Sequence, residues 1–154
     1  MDDPSATGQI TVNAPADRVY ELISDVRAMS EFAEETTSNT LLGGATTATV
    51  GARFRGANRR GVRRWSTVAT VTTADPGSTF AFDVTSMGFL PIARWRYEIA
   101  ATDSGCVVTE STWDQRPHWF HGVARLATGV TDRAAVNRHN IEMTLQRLKS
   151  KAES

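Results

Sequence analysis

Four side chains in this sequence have the chemistry of an acid, a base or an anion ligand in a pocket: Tyr97, Glu110, Arg63 and His139. General acid–base chemistry needs such a group within hydrogen-bond reach of its substrate, with burial tuning its pKa. Tyr97 and Arg63 are the two that strand parity allows inward, and they are the weak catalytic candidates. Glu110 has the parity opposite to Trp113, so with Trp113 facing in, Glu110 points out. His139 lies well off the apolar stripe of its helix and belongs to the surface. No nucleophile sits beside a base, and no carboxylate pair shares an inner face, so catalysis ranks behind binding. His118 and His121 are three apart and could offer two imidazoles to one metal, but no third ligand lies within sequence reach. They fit a wet helix face better, and neither a metal nor a cofactor is expected. Cys106 opens a strand after a turn and reads as a small, partly buried hydrophobe rather than a reactive thiol.

The stretch RFRGANRRGVRRW, residues 53–65, holds six arginines, and no Asp or Glu occurs between Glu35 and Asp75. On a strand, neighbours point to opposite faces. Arg53 and Arg55 flank Phe54, Arg64 precedes Trp65, and Arg94 and Arg96 flank Trp95. If the aromatic residues face a core, these arginines face solvent. Arg63 shares Trp65's parity and could reach inward at a rim.

The elements that must position these groups follow from hydrophobic period. Residues 1–7 are expected to form a flexible tail, and residues 8–154 a single domain. GQITVNA reads as a strand with Ile10 and Val12 on one face. Asn13 can cap a first helix, with Pro15 in its first turn. A second, shorter helix carries Met29 and Phe32. From residue 38 the period alternates, with turn signals separating six strands near 39–46, 51–57, 63–74, 78–86, 92–101 and 106–113. Past Trp113 the helical period returns. Gly129 breaks it, and Thr131 can cap a last helix whose dry stripe is Ala134, Asn137, Ile141, Leu145 and Leu148. The fold class is therefore α+β, an antiparallel sheet of seven strands whose dry face is covered by a long C-terminal helix.

The expected inner face is crowded with rings: Phe54, Trp65, Phe80, Phe82, Trp95, Tyr97 and Trp113. Each ring buries about 150–250 Å², more than a stripe of Ala, Ile and Leu can cover. A hollow is one solution. An empty apolar void of about 300 Å³ would cost roughly 7 kcal/mol, so a pocket needs polar groups that hold water or a ligand that fills it. Thr67, Thr109, Ser111 and Asn137 are the expected polar lining, with Ile141 beside them. Trp119 and Phe120 are expected to roof the space as a lid.

Composition sets the outer bounds. The chain has 154 residues, 17 basic against 17 acidic, 40% hydrophobic residues and a single cysteine. Zero formal charge argues against nucleic acid as partner. No apolar run approaches the roughly 20 residues that span a bilayer, so stable membrane insertion is not expected. The start, MDDPSATG, does not read as a signal peptide, and cytoplasmic is the expected location. Val136 and Met143, away from the dry stripe, leave monomer or weak dimer as the expected state.

The segments NAPADRVYELISDV, GARFRG, RRWSTVATV, FAFDV, ARWRYEI and TLQRLK, in this order, resemble the START-like helix-grip superfamily. Within it they resemble the SRPBCC branch, also labelled polyketide cyclase/dehydrase, over about residues 8–151. The resemblance implies a curved seven-stranded antiparallel sheet wrapped around a long C-terminal helix, with two short helices after the first strand and a hydrophobic ligand cavity between. It implies binding or carriage of a lipid, polyketide or aromatic metabolite, or a cyclase/dehydratase using the same cavity. Phe32 stands where a tryptophan is common in this branch. The sequence DQRPHWFHGVARLATG is richer in aromatics and histidine than the pattern expects.

Overall fold

The computed structural model describes residues 3–154. Seven strands form one antiparallel sheet: β1 (Ala6–Val12), β2 (Thr36–Leu41), β3 (Arg53–Arg60), β4 (Arg63–Asp75), β5 (Thr79–Ser86), β6 (Leu90–Ala101) and β7 (Cys106–Asp114). Their spatial order is β1-β7-β6-β5-β4-β3-β2. Helix α1 (Ala16–Ser24) and a 3-10 turn (Val26–Glu31) connect β1 to β2, while α2 (Phe120–Thr128) and α3 (Arg133–Ala152) follow β7. This is the helix-grip architecture. Ala6 and Thr7 already pair with Thr112 and Ser111, so β1 begins inside the stretch expected to be tail. Met1 and Asp2 lie outside the described residues. The six later strands fall within a few residues of their expected places.

Helix caps differ from expectation. Pro15, not Asn13, holds the N-cap of α1. Asp132, not Thr131, caps α3, its carboxylate accepting from the Ala135 amide at 3.1 Å. A carboxylate is a stronger cap than a threonine hydroxyl and also complements the helix dipole.

Parity on β4, β5 and β6 follows the aromatics. Phe82 sits opposite Trp95, and Phe80 opposite Tyr97. The six-arginine stretch divides accordingly: Arg53, Arg55 and Arg64 are exposed. On β6, Arg94 donates to Asp83 at 2.8 Å, an outer-face pair across neighbouring strands.

On β7 the parity is the reverse of the expected one. Tyr97 faces Glu110, Trp95 faces Thr112 and Arg94 faces Trp113. Glu110, Thr112, Val108 and Cys106 therefore face the helix, whereas Thr109, Ser111 and Trp113 face outward. Ser111 hydrogen bonds Thr7 at 2.9 Å and Thr109 accepts from Gln9 at 3.3 Å, both on the outer face. Trp113 is buried there because the Arg96 guanidinium lies 4.7 Å over its ring, a cation–π contact that covers an aromatic without a core. Cys106 is fully buried rather than partly so.

Helix α3 reaches the sheet at its β1 edge. A Cβ on Gly8 would lie 2.6 Å from Ile141 Cγ2, so glycine is what lets the helix come this close. Ile141, Leu145, Leu148 and Ala152 join the main core with Val12, Val19, Ile23, Phe80 and Val108. Phe80 and Ile141 are thus solid core, Phe80 capped edge-on by Tyr20 at 6.2 Å. Gly8→Val should force Ile141 aside and cost about 1–3 kcal/mol. That corresponds to a Tm lower by several degrees for a chain of this size, read by thermal melting. An unchanged Tm would contradict the close approach.

Candidate functional site

Away from β1 the helix and the sheet part, and the gap is a cavity of about 250 Å³. Phe54 on β3, Trp65, Thr67 and Ala69 on β4, Phe82 and Val84 on β5, and Trp95 and Tyr97 on β6 form its floor. Helix α3 contributes Asn137, Asn140 and Thr144, and Met29 of the 3-10 turn closes one flank. Phe120 and Ala124 of α2 close another, seated on Leu90 and Ile92 in a small separate apolar cluster.

Of the residues expected to line a pocket, Phe54, Trp65, Thr67, Phe82, Trp95, Tyr97 and Asn137 lie on this wall, and Phe120 roofs it. Phe80 and Ile141 do not reach it, nor do the outward Thr109, Ser111 and Trp113. Trp119 is 68% exposed and is not part of the roof. Its neighbour Phe120 turns in because α2 is amphipathic and only one of two consecutive residues can face the sheet. Arg63 also stays outside. Its guanidinium rests on Gly129, where a Cβ would be 2.9 Å from Nη1, beside the C-terminal carbonyls of α2 that favour a cation. His139, His118 and His121 are exposed.

The residue that sequence reasoning placed wrongly is the most distinctive in the cavity. Glu110 lies on the wall and is 3% exposed. The Tyr97 hydroxyl donates to its carboxyl group, while Oε1 is buried without a hydrogen-bond partner. Burial pushes the Glu110 pKa to about 8, against a smaller lowering from the tyrosine hydrogen bond. Tyr97 is raised well above its ordinary value, first by burial and then by the neighbouring carboxylate. At neutral pH, Glu110 is accordingly a neutral carboxylic acid, a state that a desolvated site favours. No sequence signal located it: Val107 and Val108 are both apolar and leave the parity of β7 unmarked, while Trp113 argued for the opposite face.

Among the described residues, two ion pairs have both partners on the cavity wall. Glu35 Oε1 accepts from Arg133 Nη1 at 2.6 Å and from Asn140 Nδ2 at 3.0 Å. Asp114 accepts from the Arg116 guanidinium at 2.9 and 2.7 Å. Burial raises the Asp114 pKa, but hydrogen bonds and charge from Arg116 outweigh it and the net shift is downward. A polar relay lines the β2–β4 side, where Thr36 donates to Asn58 and Asn58 donates to Thr67. Asn39 donates to the Val26 carbonyl at 2.8 Å, fixing the 3-10 turn over the cavity.

Residues 3–153 match the family described as polyketide cyclase / dehydrase and lipid transport. The chain belongs to that family. Its fold is similar to the di-domain ARO/CYC StfQ from the steffimycin biosynthetic pathway, with a TM-score of 0.74 and 14% identity. That match covers 96% of this chain and 49% of StfQ, so the chain spans about half the length of that protein. It is also similar to the Polyketide_cyc-like protein Cgl2372 from Corynebacterium glutamicum, with a TM-score of 0.61 and 25% identity over 97% of this chain and 91% of that one. Protein CV1439 from Chromobacterium violaceum matches with a TM-score of 0.68 and 12% identity, over 96% of both chains. No curated protein matches the sequence.

Glu110 makes stability depend on pH in a stated direction. Between its unfolded value of 4.5 and its folded value of about 8, the unfolded chain gives up a proton that the folded chain keeps. Its contribution is therefore fully present below 4.5 and is lost as pH rises to about 8. Thermal melts across that range should show the Tm of the native protein falling relative to Glu110→Gln. Parallel curves for the two proteins would locate the proton elsewhere.

Proposed function

We propose that this chain binds a hydrophobic small molecule of lipid, polyketide or aromatic type in the cavity between sheet and α3. The observation that carries the reading is an aromatic-walled space holding a buried carboxyl with an unmet hydrogen-bonding atom. A void of 250 Å³, if fully enclosed and dry, would cost about 6 kcal/mol, a large fraction of the roughly 5–15 kcal/mol that hold a domain folded. A fold that served stability alone would fill it. Burying about 250 Å² of apolar ligand is worth roughly 6 kcal/mol, and ordering costs reduce that, so the expected affinity is micromolar. Zero formal charge favours a small molecule over nucleic acid. No helix among the described residues is long and apolar enough to cross a membrane. A cytoplasmic monomer or weak dimer is sufficient for such a binder.

The Tyr97–Glu110 pair favours a second reading, a cyclase or dehydratase. A neutral carboxylic acid beside a tyrosine hydroxyl can protonate a carbonyl or a departing hydroxyl inside a water-poor site. Under this reading Tyr97→Phe lowers turnover of a polyketide substrate by 10²-fold or more while the fold stays intact. Unchanged turnover would remove it.

The binding reading is tested with a fluorescent naphthalene or fatty-acid probe, together with native mass spectrometry for a co-purified ligand. Probe signal should rise, saturate in the micromolar range, and fall at least tenfold in affinity when Thr144→Phe fills the cavity from α3. Equal binding by native and filled proteins would place the probe elsewhere, and no response across varied probes would overturn the assignment.

A further inference from the structure

Among the described residues, two carboxylate oxygens are buried without a hydrogen-bond partner, Glu35 Oε2 and Glu110 Oε1. Both residues line the same cavity. Unmet polar atoms in a folded interior cost about 1–3 kcal/mol each, and two on one wall are positions where a ligand or an ordered water can complete the bonding.

The two oxygens ask for opposite chemistry. Glu35 is held at Oε1 by Arg133 and Asn140. These lie two turns apart on one face of α3, so the carboxylate bridges the helix and its free oxygen is an acceptor. Glu110 receives the Tyr97 hydroxyl on one side and lies across from Gly8, next to Ile141 and Leu145, the side chains that Gly8 admits. No lysine or arginine faces it from β1, β6 or the adjoining turns of α3. The charged groups elsewhere on the wall are Glu34, Glu35, Arg133, Asp114 and Arg116. Both of these arginines are already paired, and Glu34 is paired with Arg147 from outside the wall.

We propose that the cavity recognises an uncharged aromatic or alicyclic molecule at two points, a carbonyl oxygen taken by Glu110 and a hydroxyl given to Glu35. This rests on the binding reading above and adds the ligand's polar pattern to it. Ligand carboxylates are disfavoured because the wall offers no unpaired cation, and because the carboxylates of Glu35 and Asp114 repel them. The raised Glu110 pKa of about 8 supports the donor role at neutral pH.

Five matched probes test it, with binding followed through the fluorescence of Trp65 and Trp95: naphthalene, naphthol, acetylnaphthol, the methyl ether of acetylnaphthol and naphthoate. Acetylnaphthol should bind roughly tenfold tighter than either naphthol or the methyl ether, one hydrogen bond being at stake in each comparison. In Glu110→Leu the advantage over naphthol should vanish while that over the methyl ether remains. Glu110→Gln, which keeps an N–H donor, should restore it. Binding of the methyl ether, which does not itself titrate, should weaken above pH 8 in the native protein and stay level in Glu110→Gln. Naphthalene and acetylnaphthol binding with equal affinity would overturn the two-point pattern and leave the binding reading standing. Tighter binding of naphthoate than of acetylnaphthol would overturn it as well. Failure of every probe, naphthalene included, would bring down both.

Discussion

The structure depends on how closely one helix can approach one edge of a curved sheet. Gly8 has no side chain, and Ile141 takes that volume. Helix α3 is therefore seated on β1, and the second half of its buried stripe packs as ordinary core. A long helix held against one edge of a curved surface stands away from the strands beyond. The rings of β3 to β6 consequently meet open space rather than helix. The 3-10 turn and α2 roof part of that space with Met29, Phe120 and Ala124. Cavity and core are thus two ends of one wedge.

Glu110 sits near the point of the wedge, directly across from Gly8. A charged carboxylate there would carry a desolvation cost that a single tyrosine hydrogen bond does not offset. Keeping its proton is the cheaper state, and the pKa of about 8 expresses that balance. The site therefore pairs an apolar wall, which supplies affinity without direction, with a few polar atoms that supply direction. Asn137, Asn140 and Thr144 continue the polar lining along α3, while Ile141, Leu145 and Leu148 on the adjoining face pack as core.

The arginine-rich stretch has a plainer role. Its alternation with Phe54 and Trp65 sends Arg53, Arg55 and Arg64 to water, while Arg94 and Arg96 make ion pairs across and along the outer face. That face even buries a tryptophan, since Arg96 covers Trp113. This exception is what misleads a reading of β7. An aromatic residue is ordinarily assigned inward and a glutamate outward because of burial costs, and here both run the other way.

Local pattern was enough for the element order, the seven strands, the facing of the rings on β3 to β6 and the family. Those features depend on side-chain period and turn chemistry, which lie in consecutive residues. It was also enough to single out Phe54, Trp65, Tyr97 and Asn137 as inward. The parity of β7 needed the register against β6, because the run from Val107 to Thr112 has no apolar contrast to set it. The placement of Arg63 on Gly129, of Trp119 in solvent, and of Glu35 between Arg133 and Asn140 likewise required the assembled fold. Those contacts join residues 66 or more positions apart in two of the three cases. Sequence period sets which face a residue takes on its own element. Only packing between elements decides what that face meets.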